Sequence, residues 1–185
     1  MRKHLRTMNR RWIHSTSIPF PSGTVTQAKP DPLYGDAGAQ WMTDTSFRCP
    51  SMVVADWNSK TGRPTYQYQF DRGIPGNPEI GAAHASEVAY VFASLDDQHP
   101  MRPNYEAADY AISKVMQEYW TNFAKSGNPD GAGLPAWPPF QPDTKRYLAF
   151  TDSGPVAGTG LRRAQCEVYA ESLKQAGAKG SAATH

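Results

Sequence analysis

His84 has the surroundings that most suggest chemistry. It lies in the stretch Gly81-Ala82-Ala83-His84-Ala85-Ser86-Glu87, where small side chains flank a single imidazole. Histidine is the side chain that most often acts as a general base, and loops carry a large share of catalytic residues. Neighbours as close as Ser86 and Glu87 rarely align with a histidine as nucleophile, base and acid. We therefore expect Glu87 to brace or cap the loop by hydrogen bonding.

The residues before this loop predict the strand that positions it. Tyr66, Tyr68 and Phe70 alternate with polar residues, and this period of two predicts a strand over residues 65–70. Residues 73–81 follow and are rich in Gly and Pro, which is typical of a loop. The sequence thus predicts a strand, then a loop that carries His84.

Residues 105–126 give the clearest helix prediction. Asn104 is the expected N-cap, and Ser126-Gly127-Asn128-Pro129 is expected to end the helix. Apolar residues recur at spacings of three and four, which predicts one buried face. These residues are Ala108, Ile112, Val115, Tyr119 and Phe123, with Met116 and Trp120 beside them.

A second helix is predicted within residues 43–62. Asp44 or Thr45 is expected to cap it, Pro50 to lie near its first turn, and Gly62 and Pro64 to stop it. Its expected apolar positions are Phe47, Met52, Val53, Val54 and Trp57.

The last third of the chain predicts two further elements. Residues 147–150 read as a short edge-like strand, and residues 161–174 as a helix. The apolar side of that helix is expected to carry Leu161, Cys166, Tyr169 and Leu173. We therefore divide the chain into a basic, Pro-containing flexible arm over 1–33, a body over 34–173 and a flexible tail over 174–185.

The composition argues against a compact domain that is stable by itself. Hydrophobic residues make up 39% of the chain, and there are 16 prolines and 15 glycines. The mean hydropathy is −0.63. Aromatic side chains are frequent enough to argue against disorder over most of the chain. The chain has no apolar run of about 18 residues, which excludes a membrane-spanning helix, and residues 1–20 lack the apolar core of a signal peptide.

The two cysteines, Cys49 and Cys166, leave two alternatives open. They lack the C-x-x-C spacing of a zinc site, so they are either ordinary buried thiols or a disulfide that closes a long loop. A metal site built from His84, His99, Asp96 and Asp97 is disfavoured, because the spacing fits no helical ligand pattern. We therefore expect no metal ion and no cofactor.

Four segments together resemble the type-B carboxylesterases, the family of para-nitrobenzyl esterases and cholinesterases. They are the Y-x-Y-x-F strand at Tyr66, the G-x-x-H-x-x-E loop at Gly81, the T-D-x-x-F-x-C-P segment at Thr43, and W-x-N-F-A-x-x-G-x-P at Trp120, followed by Trp137-Pro138. The resemblance implies the C-terminal part of an α/β-hydrolase fold, with a few sheet strands, packed helices and many loops. It also implies that His84 is the triad histidine, that Glu87 is the family's glutamate, and that Cys49 and Cys166 form a disulfide with Cα atoms about 4.4–6.8 Å apart.

The sequence contains neither the G-x-S-x-G turn of a serine nucleophile nor a His-Gly-Gly oxyanion segment. The resemblance places the nucleophile and the acid upstream of Met1. We therefore expect a carboxylic-ester hydrolase by family, whose substrate is a small-molecule ester and whose missing N-terminal portion is a partner. The present chain is expected to be inactive alone. A disulfide would favour a secreted or periplasmic protein, and free thiols a cytoplasmic one.

Two other functions remain as alternatives. A non-catalytic, cholinesterase-like binding protein is one, although the retained His84 counts against it. A nucleic-acid-binding protein is the other, and it rests only on Arg2, Lys3, Arg6, Arg10 and Arg11. A solvated flexible arm explains these charges more simply, so we expect no nucleic-acid partner.

Overall fold

The structure is a computed structural model that describes residues 30–31, 33–76, 81–96 and 105–182, with side chains up to residue 175. Residues 1–29 and 32 of the basic arm, Asp97, His99 and the expected cap Asn104 lie outside the described residues. The chain divides into two compact units. Unit 1 comprises Met1–Trp57 and Arg162–His185, and unit 2 comprises Asn58–Leu161.

Unit 1 contains a helical run that begins earlier than the sequence predicts. Helix α1 spans Ala37–Thr43, a π-helical segment spans Asp44–Arg48, and helix α2 spans Cys49–Ser59, whose last two residues are counted in unit 2. The N-cap is Asp36, whose carboxylate accepts a hydrogen bond from the amide of Ala39 at 2.8 Å. The predicted cap at Asp44 or Thr45 is therefore wrong.

Asp44 has a different role because its side chain is fully buried and paired with two arginines. Arg162 donates from Nε and Nη2 to one carboxylate oxygen at 2.8 and 2.6 Å, and Arg48 donates to the other. The ring of Tyr34 lies against both guanidinium groups, 4.8 Å from that of Arg162 and 5.0 Å from that of Arg48. A buried carboxylate requires such partners, because an unpaired buried charge is strongly destabilising.

Helix α5 spans Arg163–Ala182 and also belongs to unit 1. It begins after Leu161 and continues beyond residue 174, so both predicted ends of this helix are wrong. Within unit 1, Cys166 of α5 is joined to Cys49 of α2 by a disulfide with a Cα–Cα distance of 4.8 Å. The disulfide expected from the resemblance is confirmed. Among the predicted apolar positions of α2, Met52 is buried, whereas Trp57 is 64% exposed.

The disulfide predicts the outcome of a thiol count. In denaturant and without reductant, we expect the purified chain to show no thiol that reacts with Ellman's reagent, and two after reduction, because both cysteines are bonded to each other. The two ends of the closed loop are 117 residues apart, for which the chain-entropy model gives about 4–5 kcal/mol of stabilisation. Two reactive thiols before reduction would contradict the bond.

Unit 2 is built on a three-stranded sheet in the order β1-β2-β3. Strand β1 spans Tyr68–Phe70, β2 spans Arg146–Thr151 and β3 spans Gly154–Thr159. Strands β1 and β2 are parallel, with Tyr68 opposite Leu148, and β2 and β3 are antiparallel. The predicted strand over 65–70 is thus confirmed only in its second half. The prediction that residues 147–150 form an edge strand is wrong, because β2 is the central strand.

The sequence does not predict strand β3, because several of its residues are poor strand formers. Pro155 and two glycines are tolerated because β3 has a single neighbour among the described strands. Gly158 also has a packing reason: a Cβ at this position would lie 2.6 Å from Cζ of Tyr147 on β2. The aromatic ring of Tyr147 therefore covers the glycine, and a side chain at residue 158 would displace it.

The short helix α3 spans Val88–Val91. Helix α4 spans Ala107–Ser126 and confirms the helix predicted over residues 105–126. Glu106 caps α4 in a capping box with Asp109, so the predicted cap Asn104 is wrong, and Gly127 ends the helix in the left-handed region with φ 74°. Ile112, Met116 and Tyr119 are buried in the core of unit 2, but Phe123 is 48% exposed. None of the helices within the described ranges combines the length and apolar character needed to cross a membrane.

Candidate active-site histidine loop

His84 lies on the exposed part of the connection from β1 to α3. The amide of Ile74 donates to the carbonyl of Gly81 at 3.1 Å, which brings the two sides of the loop together. The amide and hydroxyl of Ser86 both donate to the carbonyl of Ala83, at 3.1 and 2.7 Å. These bonds close a tight turn around His84. Ala85 lies in the left-handed region with φ 65°, which is unfavourable for a residue with a Cβ.

Glu87 connects this turn to the sheet. It precedes α3 without capping the helix through its side chain. Its Oε1 instead accepts a hydrogen bond from the hydroxyl of Tyr68 on β1 at 3.3 Å. Burial, together with the charge and hydrogen bond of Glu87, raises the pKa of Tyr68 to about 12. Tyr68 therefore keeps its proton at neutral pH and remains the donor in this contact.

Tyr68 is itself held by aromatic neighbours. Its ring makes edge contacts with Trp120, Trp137 and Phe150, at centroid distances of 5.1, 6.1 and 6.2 Å. Such pairs contribute beyond the area they bury, and they fix the orientation of the ring. The acceptor oxygen of Glu87 is thus tied to a rigid part of the unit 2 core.

A buried carboxylate on α4 connects the two ends of the histidine loop. Asp109 is fully buried and accepts from Nε and Nη2 of Arg72 at 2.7 and 3.0 Å, and from the hydroxyl of Tyr90 at 2.6 Å. Burial by itself would raise the pKa of Asp109, but the hydrogen bonds from Arg72, Tyr90 and the amide of Glu106 lower it. Burial and the same carboxylate raise the pKa of Tyr90.

Local sequence patterns do not reveal this group of residues. Arg72 and Asp109 are 37 residues apart, and neither belongs to a recognised motif. The only local signal was the pairing of Glu106 with Asp109 at a capping-box spacing, which predicts a helix start and not an ion pair.

Of the other residues considered with His84 for a metal site, Asp96 lies within the described residues, whereas Asp97 and His99 do not. Asp96, considered for a metal site, is exposed and accepts from the hydroxyl of Tyr110 at 2.7 Å. Within the described part of the chain, no three residues of the types His, Cys, Asp and Glu are grouped so that they could hold a metal ion.

Unit 2 also has an aromatic groove of about 280 Å³, lined among others by Tyr66, Tyr68, Trp120, Phe123 and Trp137.

Comparison with known proteins decides the family. The sequence model of the carboxylesterase family matches residues 25–169, which is most of the chain. This chain belongs to the carboxylesterase family. The resemblance of its four segments is thereby confirmed.

Two relatives illustrate this similarity, which extends over most of the chain. Acylcarnitine hydrolase of Mus musculus is 32% identical over 143 residues, which cover 74% of this chain and 24% of that enzyme. Acetylcholinesterase of Gallus gallus is 32% identical over 136 residues, covering 70% of this chain and 17% of the relative. The chain therefore spans about a quarter or less of the length of these relatives.

A solved carboxylesterase shares the fold. The crystal structure of carboxylesterase EST55 of Geobacillus stearothermophilus at pH 6.2 superposes with a TM-score of 0.63 and 25% identity. The superposition covers 88% of this chain and 31% of EST55. The small mixed sheet and its helices are thus part of an α/β-hydrolase fold, as the sequence predicts.

Proposed function

We propose that this chain supplies the general base of a serine carboxylesterase and that His84 is that base. The observation that carries the proposal is the G-x-x-H-x-x-E loop, which presents an exposed imidazole from a turn anchored to β1 and α4. An exposed side chain on a fixed loop can meet groups supplied by another part of an enzyme. Family membership supports a carboxylic ester as the substrate class.

In this proposal His84 moves a proton in each half of the reaction. It accepts the proton of the serine hydroxyl as the serine oxygen bonds to the ester carbonyl carbon, and it donates that proton to the departing alcohol. In the second half it accepts a proton from water, which attacks the acyl-enzyme, and returns the proton to the serine oxygen. The released products are an alcohol and a carboxylic acid.

The nucleophile and the acid that orients His84 belong to the remainder of the fold. Ser86 is not the nucleophile in this proposal, and its hydroxyl donates to the carbonyl of Ala83 within the same turn. Asp109 accepts hydrogen bonds from Arg72 and Tyr90, and Oε1 of Glu87 accepts one from Tyr68.

A hybrid enzyme tests the role of His84. The whole chain replaces the segment of Geobacillus stearothermophilus EST55 that superposes on it, so that the rest of EST55 supplies the serine and the acid. We expect the hybrid to hydrolyse para-nitrophenyl acetate, and His84→Ala to lower kcat by at least about 10⁴-fold, because the serine loses its base.

His99→Ala is the matched control in the hybrid, since we assign no role to that histidine, and it should retain kcat within about twofold. A folded, soluble hybrid that hydrolyses the ester equally well with and without His84 would refute the proposal. A folded hybrid that binds esters without any turnover would favour the alternative of a non-catalytic, cholinesterase-like binding protein.

A further inference from the structure

We propose that Asp109 is a positioning residue for His84, which fixes both ends of the histidine loop on helix α4. The proposal rests on the proposed role of His84. Its basis is a clamp made of three side chains, Arg72, Tyr90 and Asp109, with the carboxylate at the centre.

The clamp binds the chain at both ends of the histidine loop. Arg72 lies two residues after the end of β1, where the loop begins, and Tyr90 lies in α3, where the loop has ended. Both donate to Asp109, and the amide of Glu106 adds a bond to Oδ2 at 2.7 Å. Four hydrogen bonds thus converge on a carboxylate that is 0% exposed. Charge-assisted bonds of this kind are short and directional.

Tyr90 is held by more than this one bond. Its carbonyl accepts from the hydroxyl of Ser113 on α4 at 2.7 Å, and its ring packs on Phe70 at a centroid distance of 4.9 Å. Helix α3 is therefore fixed to both α4 and β1. Helix α3 has only four residues, and a helix this short is not stable without tertiary contacts.

His84 lies in an exposed part of the loop between these anchors. The hydrogen bond from Tyr68 to Glu87 is long, at 3.3 Å, and Ala85 adopts an unfavourable left-handed conformation. A loop with such internal geometry keeps its shape only if the surrounding structure imposes it. The clamp provides this constraint. Its carboxylate stays ionised at neutral pH, because the hydrogen bonds that it accepts lower the pKa of Asp109.

The test uses Asp109→Asn in the hybrid enzyme, which removes the charge and keeps the shape. We expect kcat per folded molecule to fall about 10–100-fold, since a displacement of about 1 Å can cost 10²-fold, while KM changes less than about threefold. Hydrogen exchange should quicken in peptides from residues 71–92 and stay unchanged in β2 and β3. Asp109→Glu, which keeps the charge, should recover part of the lost kcat.

Asp152→Asn is the matched control. Asp152 accepts a hydrogen bond from Nη1 of the same arginine at 3.1 Å, but its side chain is 68% exposed. It should leave kcat and loop exchange within about twofold of the parent, because exposed ion pairs contribute little.

The proposal is overturned if Asp109→Asn leaves both loop exchange and kcat unchanged, or if exchange quickens equally in the sheet, as a general loss of stability would cause. A different result is expected if the proposed function itself is wrong. The parent hybrid then shows no hydrolysis that depends on His84, while hydrogen exchange in the loop still responds to Asp109→Asn.

Discussion

The 185 residues by themselves are expected to hydrolyse para-nitrophenyl esters no faster than the uncatalysed background. The sequence has no G-x-S-x-G turn, and loss of the nucleophile costs a serine hydrolase on the order of 10⁶-fold in turnover. We do not expect Ser86 to replace it, since its hydroxyl donates a hydrogen bond to the backbone of its own turn. The measurement is the release of para-nitrophenol by purified chain, with His84→Ala as the control.

The parent chain and His84→Ala should give the same rate. A turnover typical of enzymes, about 1–10³ per second, that disappears in His84→Ala would contradict the prediction. Such a result would show that these residues contain a nucleophile of their own. Adding the missing part of the fold should instead create activity, as the hybrid enzyme tests.

The second large effect concerns stability: the chain expressed alone should be molten or aggregated. Strand β1 has a single neighbour in the described sheet, so its outer edge can pair with another chain. Large apolar side chains are also exposed in both units, among them Phe92 at 75% and Trp57 at 64%. Each large apolar side chain left in water forgoes about 1.5–3 kcal/mol, and a domain has only about 5–15 kcal/mol of net stability.

Three measurements check this expectation. Size exclusion should show oligomers or aggregate, a dye for apolar surface should bind strongly, and calorimetry should show no sharp transition. The same 185 residues within the hybrid enzyme serve as the control and should be soluble, because EST55 then covers the exposed surfaces. A soluble monomer of the isolated chain with a cooperative thermal transition and little dye binding would contradict the prediction.

Local patterns in the sequence were sufficient for the elements that depend on neighbouring residues. The apolar spacing of residues 105–126 and the glycine at 127 predicted α4 nearly to its ends, because an α-helix is specified by contacts three and four residues apart. The alternation at Tyr66, Tyr68 and Phe70 likewise located the strand before the histidine loop. The motifs around His84 and Trp120 indicated the family, which the comparison confirmed.

The tertiary structure alone decided which elements pair and which polar groups meet. Residues 154–159 form β3 because β2 offers hydrogen-bonding partners, although Gly and Pro are poor strand formers. Asp44 resembled a helix cap in the sequence, yet it is a buried partner of Arg162, which lies 118 residues further along the chain. No local pattern marks Arg72, Tyr90 and Asp109 either. A buried ion pair forms where the fold brings distant parts of the chain together, and their spacing in the sequence does not reveal it. The sequence therefore identified the candidate base, and only the folded chain showed what holds its loop.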